Sequence, residues 1–174
     1  MSVFEDALKK SKIFTTPDKK EVPVILDPVI PIVSTLSKDM ITPHFSWKEA
    51  LFLPTWNRMA NTSDGLNDQV KANLTKVFSV LEEIRTLWGN KPITISCAYR
   101  PKAYNALPSI GGAPKSAHID GMAIDFYISG VKCDEVRKTL IPLLDTFKIR
   151  MEHKDGSNWV HIDIRQSTPR YFIP

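Results

Sequence analysis

Ser116-Ala117-His118-Ile119-Asp120-Gly121-Met122-Ala123-Ile124-Asp125 is the stretch on which the reading of this chain turns. It sets an imidazole seven residues ahead of a carboxylate, with a glycine between them. Ala123 to Ile128 has the apolar and aromatic content of a buried strand. Gly121 tolerates positive φ, so a loop histidine and a strand aspartate can converge if the chain turns there. A second stretch, Trp159-Val160-His161-Ile162-Asp163, reads as a strand. Side chains alternate along a strand, so Trp159, His161 and Asp163 should share one face.

The clearest helix lies upstream. Val70, Leu74, Val77, Phe78, Leu81, Ile84 and Trp88 recur at three- and four-residue steps, and Gly89-Asn90 stop the pattern. Ser46 followed by Trp47, Lys48 and Glu49 is a capping-box pattern that predicts a short helix. Ile93 to Ser96 predicts a strand. Residues 101–117 read as loop, with Pro101, Pro108, Pro114 and Gly111-Gly112. Downstream, Asp134 to Asp145 predicts a helix that Pro142 should bend or shorten. Ile149 to His153, a turn through Gly156, and Trp159 to Arg165 predict a β-hairpin. Helices and strands mix without a regular βαβ alternation, so the expected class is α+β, a small antiparallel sheet with flanking helices.

The chain has 174 residues, 43% of them hydrophobic and 24% charged, the bulk of one folded domain rather than a disordered chain. Residues 1–44 differ from the rest. Pro17, Pro23, Pro28 and Pro31 punctuate a run of Val, Ile and Leu, which predicts an extended arm, with the domain occupying 45–174. The run from Val22 to Leu36 is too interrupted to span a bilayer. The first residues lack the apolar stretch of a signal peptide. The expectation is therefore synthesis in the cytoplasm without a signal of its own. Cys97 and Cys133 lack the spacing of a zinc knuckle or redox pair, so free thiols are expected. The net charge of +4 favours an anionic partner without choosing one.

Two imidazoles and one carboxylate make an N/O donor set that suits zinc, and three protein ligands leave a fourth position for water. The residues around them add a resemblance. The pattern S-x-H-x-x-G-x-A-x-D at Ser116–Asp125 resembles the signature of the zinc D-alanyl-D-alanine carboxypeptidases and their relatives, a group that includes VanX- and VanY-like peptidases, several phage endolysins and the hedgehog-type fold. W-x-H-x-D follows at Trp159–Asp163 in the expected order. Ala98-Tyr99-Arg100-Pro101 is similar to the family's S-G-Y-R-S segment, and Gly111 to Ser116 resembles the lead-in of phage and bacterial members. The resemblance covers about residues 45–165.

The resemblance implies Zn2+ held by His118, Asp125 and His161. It implies that Arg100 holds a substrate carboxylate or carbonyl, a role suited to a planar fork of donors. Ser116 would orient the loop or the first ligand; Asp163 would support the site or simply belong to the hairpin. Many members carry Glu or Asp three residues before the last histidine, where this chain has Asn158, which cannot take a proton. Glu152 is the expected general base, provided the hairpin register turns it toward His161; Asp155 is a second choice. Cys97-Ala98 replaces the family's Ser-Gly and is expected to be tolerated.

The implied activity is hydrolysis of peptide bonds in bacterial peptidoglycan stem peptides, by a phage endolysin or virion-associated lysin acting at the cell wall after release. The implied substrate is the peptidoglycan peptide, with neither nucleic acid nor membrane as partner, and the arm would contact a virion or tail protein. The alternative is a zinc-binding virion or recognition module that keeps the fold with weak catalysis or none. A VanX-like cytoplasmic dipeptidase is a third reading.

Overall fold

The apolar repeat that begins at Val70 folds as a helix over Asp68–Leu87, with Asn67 accepting from the Val70 amide as its N-cap. Leu74, Val77, Phe78, Leu81 and Ile84 are fully buried along its inner face, and each contributes about 1.5–3 kcal/mol of apolar transfer. Gly89 follows at φ +62, where a left-handed residue ends the helix.

The computed structural model describes residues 37–173. In chain order these form β1 (Met40–Thr42), β2 (Phe45–Ser46), α1 (Trp47–Leu51), β3 (Phe52–Leu53), β4 (Arg58–Met59), α2 (Asp68–Leu87), β5 (Ile93–Cys97), α3 (Lys102–Asn105), β6 (Ala123–Ile128), α4 (Cys133–Leu140), α5 (Leu144–Phe147), β7 (Arg150–Glu152), β8 (Val160–Asp163) and β9 (Tyr171–Phe172). The capping box at α1 forms, with Ser46 and Glu49 bonding each other's backbone. Pro142 does divide the expected 134–145 helix: α4 passes through a 3-10 turn at Ile141–Leu143 into α5. The proline-rich arm lies, through residue 36, outside the described residues. Residues 40–44, assigned from sequence to that arm, instead form β1 and its turn into β2. Ile41 and Thr42 are buried, and the Thr42 hydroxyl donates to Glu82 on α2 at 2.8 Å.

The central sheet has the order β5-β6-β8-β7-β9. Four strands are antiparallel as expected, but β9 adds a parallel edge beside β7, so the sheet is mixed. Two residues are too few to show alternation, and β9 forms because the Met151 and His153 amides donate to Arg170 and Phe172 carbonyls at 2.7 Å each. One sheet face sends Ile124, Phe126, Ile128, Met151, Val160 and Ile162 into the core, each at most 1% exposed. The opposite face carries Asp125, His161 and Asp163. Among the described residues no helix is long and apolar enough to cross a membrane.

Candidate metal centre

His118 comes from a 3-10 turn, Ala117–Asp120, rather than from open loop. Four contacts place that turn. The Ser116 hydroxyl accepts from the His118 amide at 3.4 Å and from Arg100 Nη2 at 3.1 Å. The Arg100 amide donates to the His118 carbonyl at 3.0 Å, and Asn73 on α2 donates to the Asp120 carbonyl at 2.9 Å. Gly121 closes the turn at φ +67, and a Cβ there would sit 2.8 Å from the Val70 carbonyl oxygen. Glycine is thus demanded twice, by backbone conformation and by the approach of α2.

Asp125 and His161 lie directly opposite one another on β6 and β8. Asp125 Oδ1 is 2.7 Å from His161 Nδ1 and 3.3 Å from His118 Nε2, and the two nitrogens are 3.3 Å apart. His118 Nδ1 donates to the Ala98 carbonyl at 2.6 Å, so the tautomer leaves Nε2 as a bare lone pair aimed at the cluster. On the far side of His161, Nε2 stands 3.9 Å from Asp163 Oδ2. Asp163 is fully buried and is held by the Arg165 amide and guanidinium, each at 2.9 Å.

Three donor atoms with these separations suit a tetrahedral zinc, whose bonds of about 2.0–2.2 Å set neighbouring ligand atoms roughly 3.3–3.6 Å apart. The short third edge is a proton-sharing hydrogen bond. A thiol also lies close: ligand atoms of Cys97, His118 and Asp125 fall within 4.8 Å of one another, a group that could hold a metal. Cys97 Sγ, however, approaches His118 Nδ1, at 3.8 Å, the nitrogen already committed to Ala98. Burial, reinforced by Asp125, pushes the Cys97 thiol up to about 12 and keeps it protonated. His118, Asp125 and His161 bring their donor atoms closer together than the set with Cys97 does.

Electrostatics divide the two histidines. Burial lowers the pKa of His118 despite the opposing pull of Asp125, which favours the neutral ring. Burial also works against charge on His161, but the hydrogen bond with Asp125 and the nearby Asp163 carboxylate outweigh it and lift its pKa to about 9. Asp125 is held well below the usual carboxylate range, because both histidines overcome the burial that would raise it. Asp163 sits near 2, where His161 and Arg165 outweigh its burial.

The hairpin places the remaining candidates. Arg150 pairs with Asp163 and Met151 with Ile162; one residue further, this register sets Glu152 across from His161, on the same face. The Glu152 side chain is 12% exposed and 3.8 Å from Lys154 Nζ. Asp155 is turned outward, 75% exposed and paired with His153 at 3.2 Å. Asn158 is exposed and lines a cavity of about 380 Å³ with Tyr127, Lys132 and Ser157. Arg100 stands beside Ser116, with its Nε buried and unpaired among the described residues.

Three residues escaped the sequence reading. Buried Arg137 on α4 donates to the carbonyls of Lys154, Ser157 and Trp159 and to the Ser157 hydroxyl at 2.6–3.2 Å, stapling the β7–β8 turn. Arg165 clamps Asp163, and Phe172 on β9 brings its ring 6.2 Å from that of His161. Of these, only Arg137 left a trace in sequence, as a cation bordering the apolar stripe of its helix.

An α+β fold that converges two imidazoles and a carboxylate on one sheet face has the make-up of a metal-dependent hydrolase. The family model for Peptidase M15 matches residues 46–163, and the chain belongs to that family, whose members are zinc-dependent. A probable peptidoglycan L,D-endopeptidase, MepK, of Haemophilus influenzae (strain ATCC 51907 / DSM 11121 / KW20 / Rd) is 32% identical over 105 residues, covering 58% of this chain and 55% of that protein. The chain thus spans about half the length of the curated relative it matches. No solved structure matches it.

Proposed function

We propose that this chain is a zinc peptidase that hydrolyses an internal peptide bond of bacterial peptidoglycan stem peptides, with His118, Asp125 and His161 as the metal ligands. The observation that carries this reading is the convergence of His118 Nε2, Asp125 Oδ1 and His161 Nδ1 within 2.7–3.3 Å. Bound there, zinc supplies Lewis acidity toward a peptide carbonyl and lowers the pKa of water toward about 7. Membership of Peptidase M15 supports the reaction class, and the likeness to a probable L,D-endopeptidase supports an L,D bond in peptidoglycan. The sheet with its covering helices is compatible with the hedgehog-type arrangement of that family.

In this reading Glu152 takes the proton from the attacking water and returns it to the leaving amine, which replaces the acid that Asn158 does not provide. Its place across from His161 supports that role. Arg100 holds a carbonyl or carboxylate of the substrate; its guanidinium is oriented by Ser116. Asp163 fixes the His161 ring from the side away from Asp125. The setting we propose is a phage endolysin or virion-associated lysin, with the proline-rich stretch upstream of β1 contacting a virion or tail partner.

The test is digestion of purified sacculi by zinc-loaded protein, with mass analysis of the soluble products. New peptide amino termini are expected. Zinc-loaded, folded protein that releases none would replace this reading with the binding module that the exposed Asn158 favours.

A further inference from the structure

The segment matched by the family ends at residue 163, yet β9 reaches the metal centre from beyond it. Registers place one transverse row across four strands. Asp125 pairs with His161, the β7–β8 register sets His161 across from Glu152, and Glu152 pairs with Phe172. Laterally paired residues share a face, so Phe172 closes the row on the Glu152 side.

Its contacts agree with that placement. The Phe172 ring meets His161 at 85° with centroids 6.2 Å apart, an edge-to-face geometry. Arg150, two residues before Glu152 and on the same face, lays its guanidinium carbon 4.1 Å over the Phe172 ring. Arg150 is itself tied to the Ser167 hydroxyl. Tyr171 turns the other way and packs on His153, with ring centroids 4.9 Å apart. The strand therefore points one aromatic ring at the centre and fixes it from behind with a cation.

We propose that Phe172 is a positioning residue of the metal centre, supplied by a C-terminal strand that lies beyond the residues matched by the family model. The His161 ring is then restrained at three places: Asp125 at Nδ1, Asp163 beyond Nε2, and Phe172 against the ring. Removing the last restraint deletes no ligand atom but lets the ring tilt, so Nδ1 would spend less time directed at the metal. This inference rests on the metal-centre reading above and adds a residue to it.

The experiment uses the full chain with Phe172→Ala, Phe172→Leu and Phe172→Tyr. Zinc affinity is read by competition with a chromogenic chelator, alongside kcat and KM on sacculi and thermal melts. Phe172→Ala should weaken zinc by about tenfold and lower kcat by about tenfold with little change in KM, the size expected for one aromatic contact plus lost alignment. Phe172→Tyr keeps the ring and should stay within about twofold of the parent on both readouts. A folded Phe172→Ala protein with parental zinc affinity and kcat would overturn the proposal. Should Phe172→Ala fail to fold, Phe172→Leu decides: zinc affinity several-fold weaker is expected, and parental affinity overturns it. Failure of the unsubstituted chain to bind zinc would instead sink the metal-centre reading.

Discussion

The turn that presents His118 and the hairpin that presents Glu152 face the same cluster but are built on opposite plans. The Ser116–Gly121 turn is held by its own cap, by a glycine without substitute and by the inner helix α2. Its histidine is 1% exposed and favoured neutral. The β7–β8 hairpin is shaped from outside itself. Arg137 staples its turn from α4, and β9 flanks it at the sheet edge. Each half of the site can therefore fail in its own way: the ligand half by losing a donor, the hairpin half by losing its neighbours.

The largest effect should come from the ligand half. His118→Ala removes a donor that no neighbour replaces, and both zinc stoichiometry and peptide hydrolysis should fall to background, as read by metal analysis and product release. Glu152→Gln, in the hairpin half, should leave zinc bound and cut kcat by about 10²–10⁴-fold. Asp155→Asn should change kcat little, because that carboxylate is turned to solvent. Equal losses for the two substitutions would move the base away from Glu152.

Arg137→Ala tests the staple. It strips a buried cation from three carbonyls, and urea denaturation should read a loss of roughly 2–4 kcal/mol. The accompanying drop in kcat should exceed that from any exposed hairpin substitution. Asp163→Asn should weaken zinc by about 10–100-fold while the melt moves less than for Arg137→Ala.

The most graded effect concerns pH. In the metal-free protein His161 has its pKa lifted to about 9, so at neutral pH its proton must leave before Nδ1 can hold a metal. Zinc affinity should rise about tenfold per pH unit up to that value and then flatten. Calorimetry in buffers of different ionisation enthalpy should read the release of close to one proton per zinc at pH 7. The sign for folding is the reverse. A raised folded-state pKa stabilises the metal-free protein fully below the unfolded value near 6.5, and that stabilisation is lost as pH rises through about 9. An affinity that fell as pH rose from 7 to 9 would show that His161 is not the group displaced.

The same division explains what could be read from the residues alone. Helix α2, the capped α1 and strand β6 each carry their signal within one contiguous stretch, and all three form where periodicity and capping placed them. The convergence of His118 with Asp125 was legible because Gly121 marks the turn between them. The face of Glu152 was legible only as a condition, since sharing a face with His161 requires an even number of residues between the two, a parity that residues 153–160 satisfy. Arg137, Arg165 and Phe172 act across distance in sequence, through carbonyls, a buried carboxylate and a two-residue strand, none of which leaves a periodic mark. The arm boundary at residue 44 missed β1 for the same reason: Ile41 and Thr42 are buried by contacts with α2 that a run of prolines upstream does not announce.

In the proposed centre two imidazoles and one carboxylate hold the metal and the neighbouring thiol does not. Zinc-edge X-ray absorption on the zinc-loaded chain reads this directly. Nitrogen and oxygen scatterers alone at about 2.0–2.2 Å are expected. A sulfur scatterer at about 2.3 Å would place Cys97 on the metal in place of His161 and contradict the account.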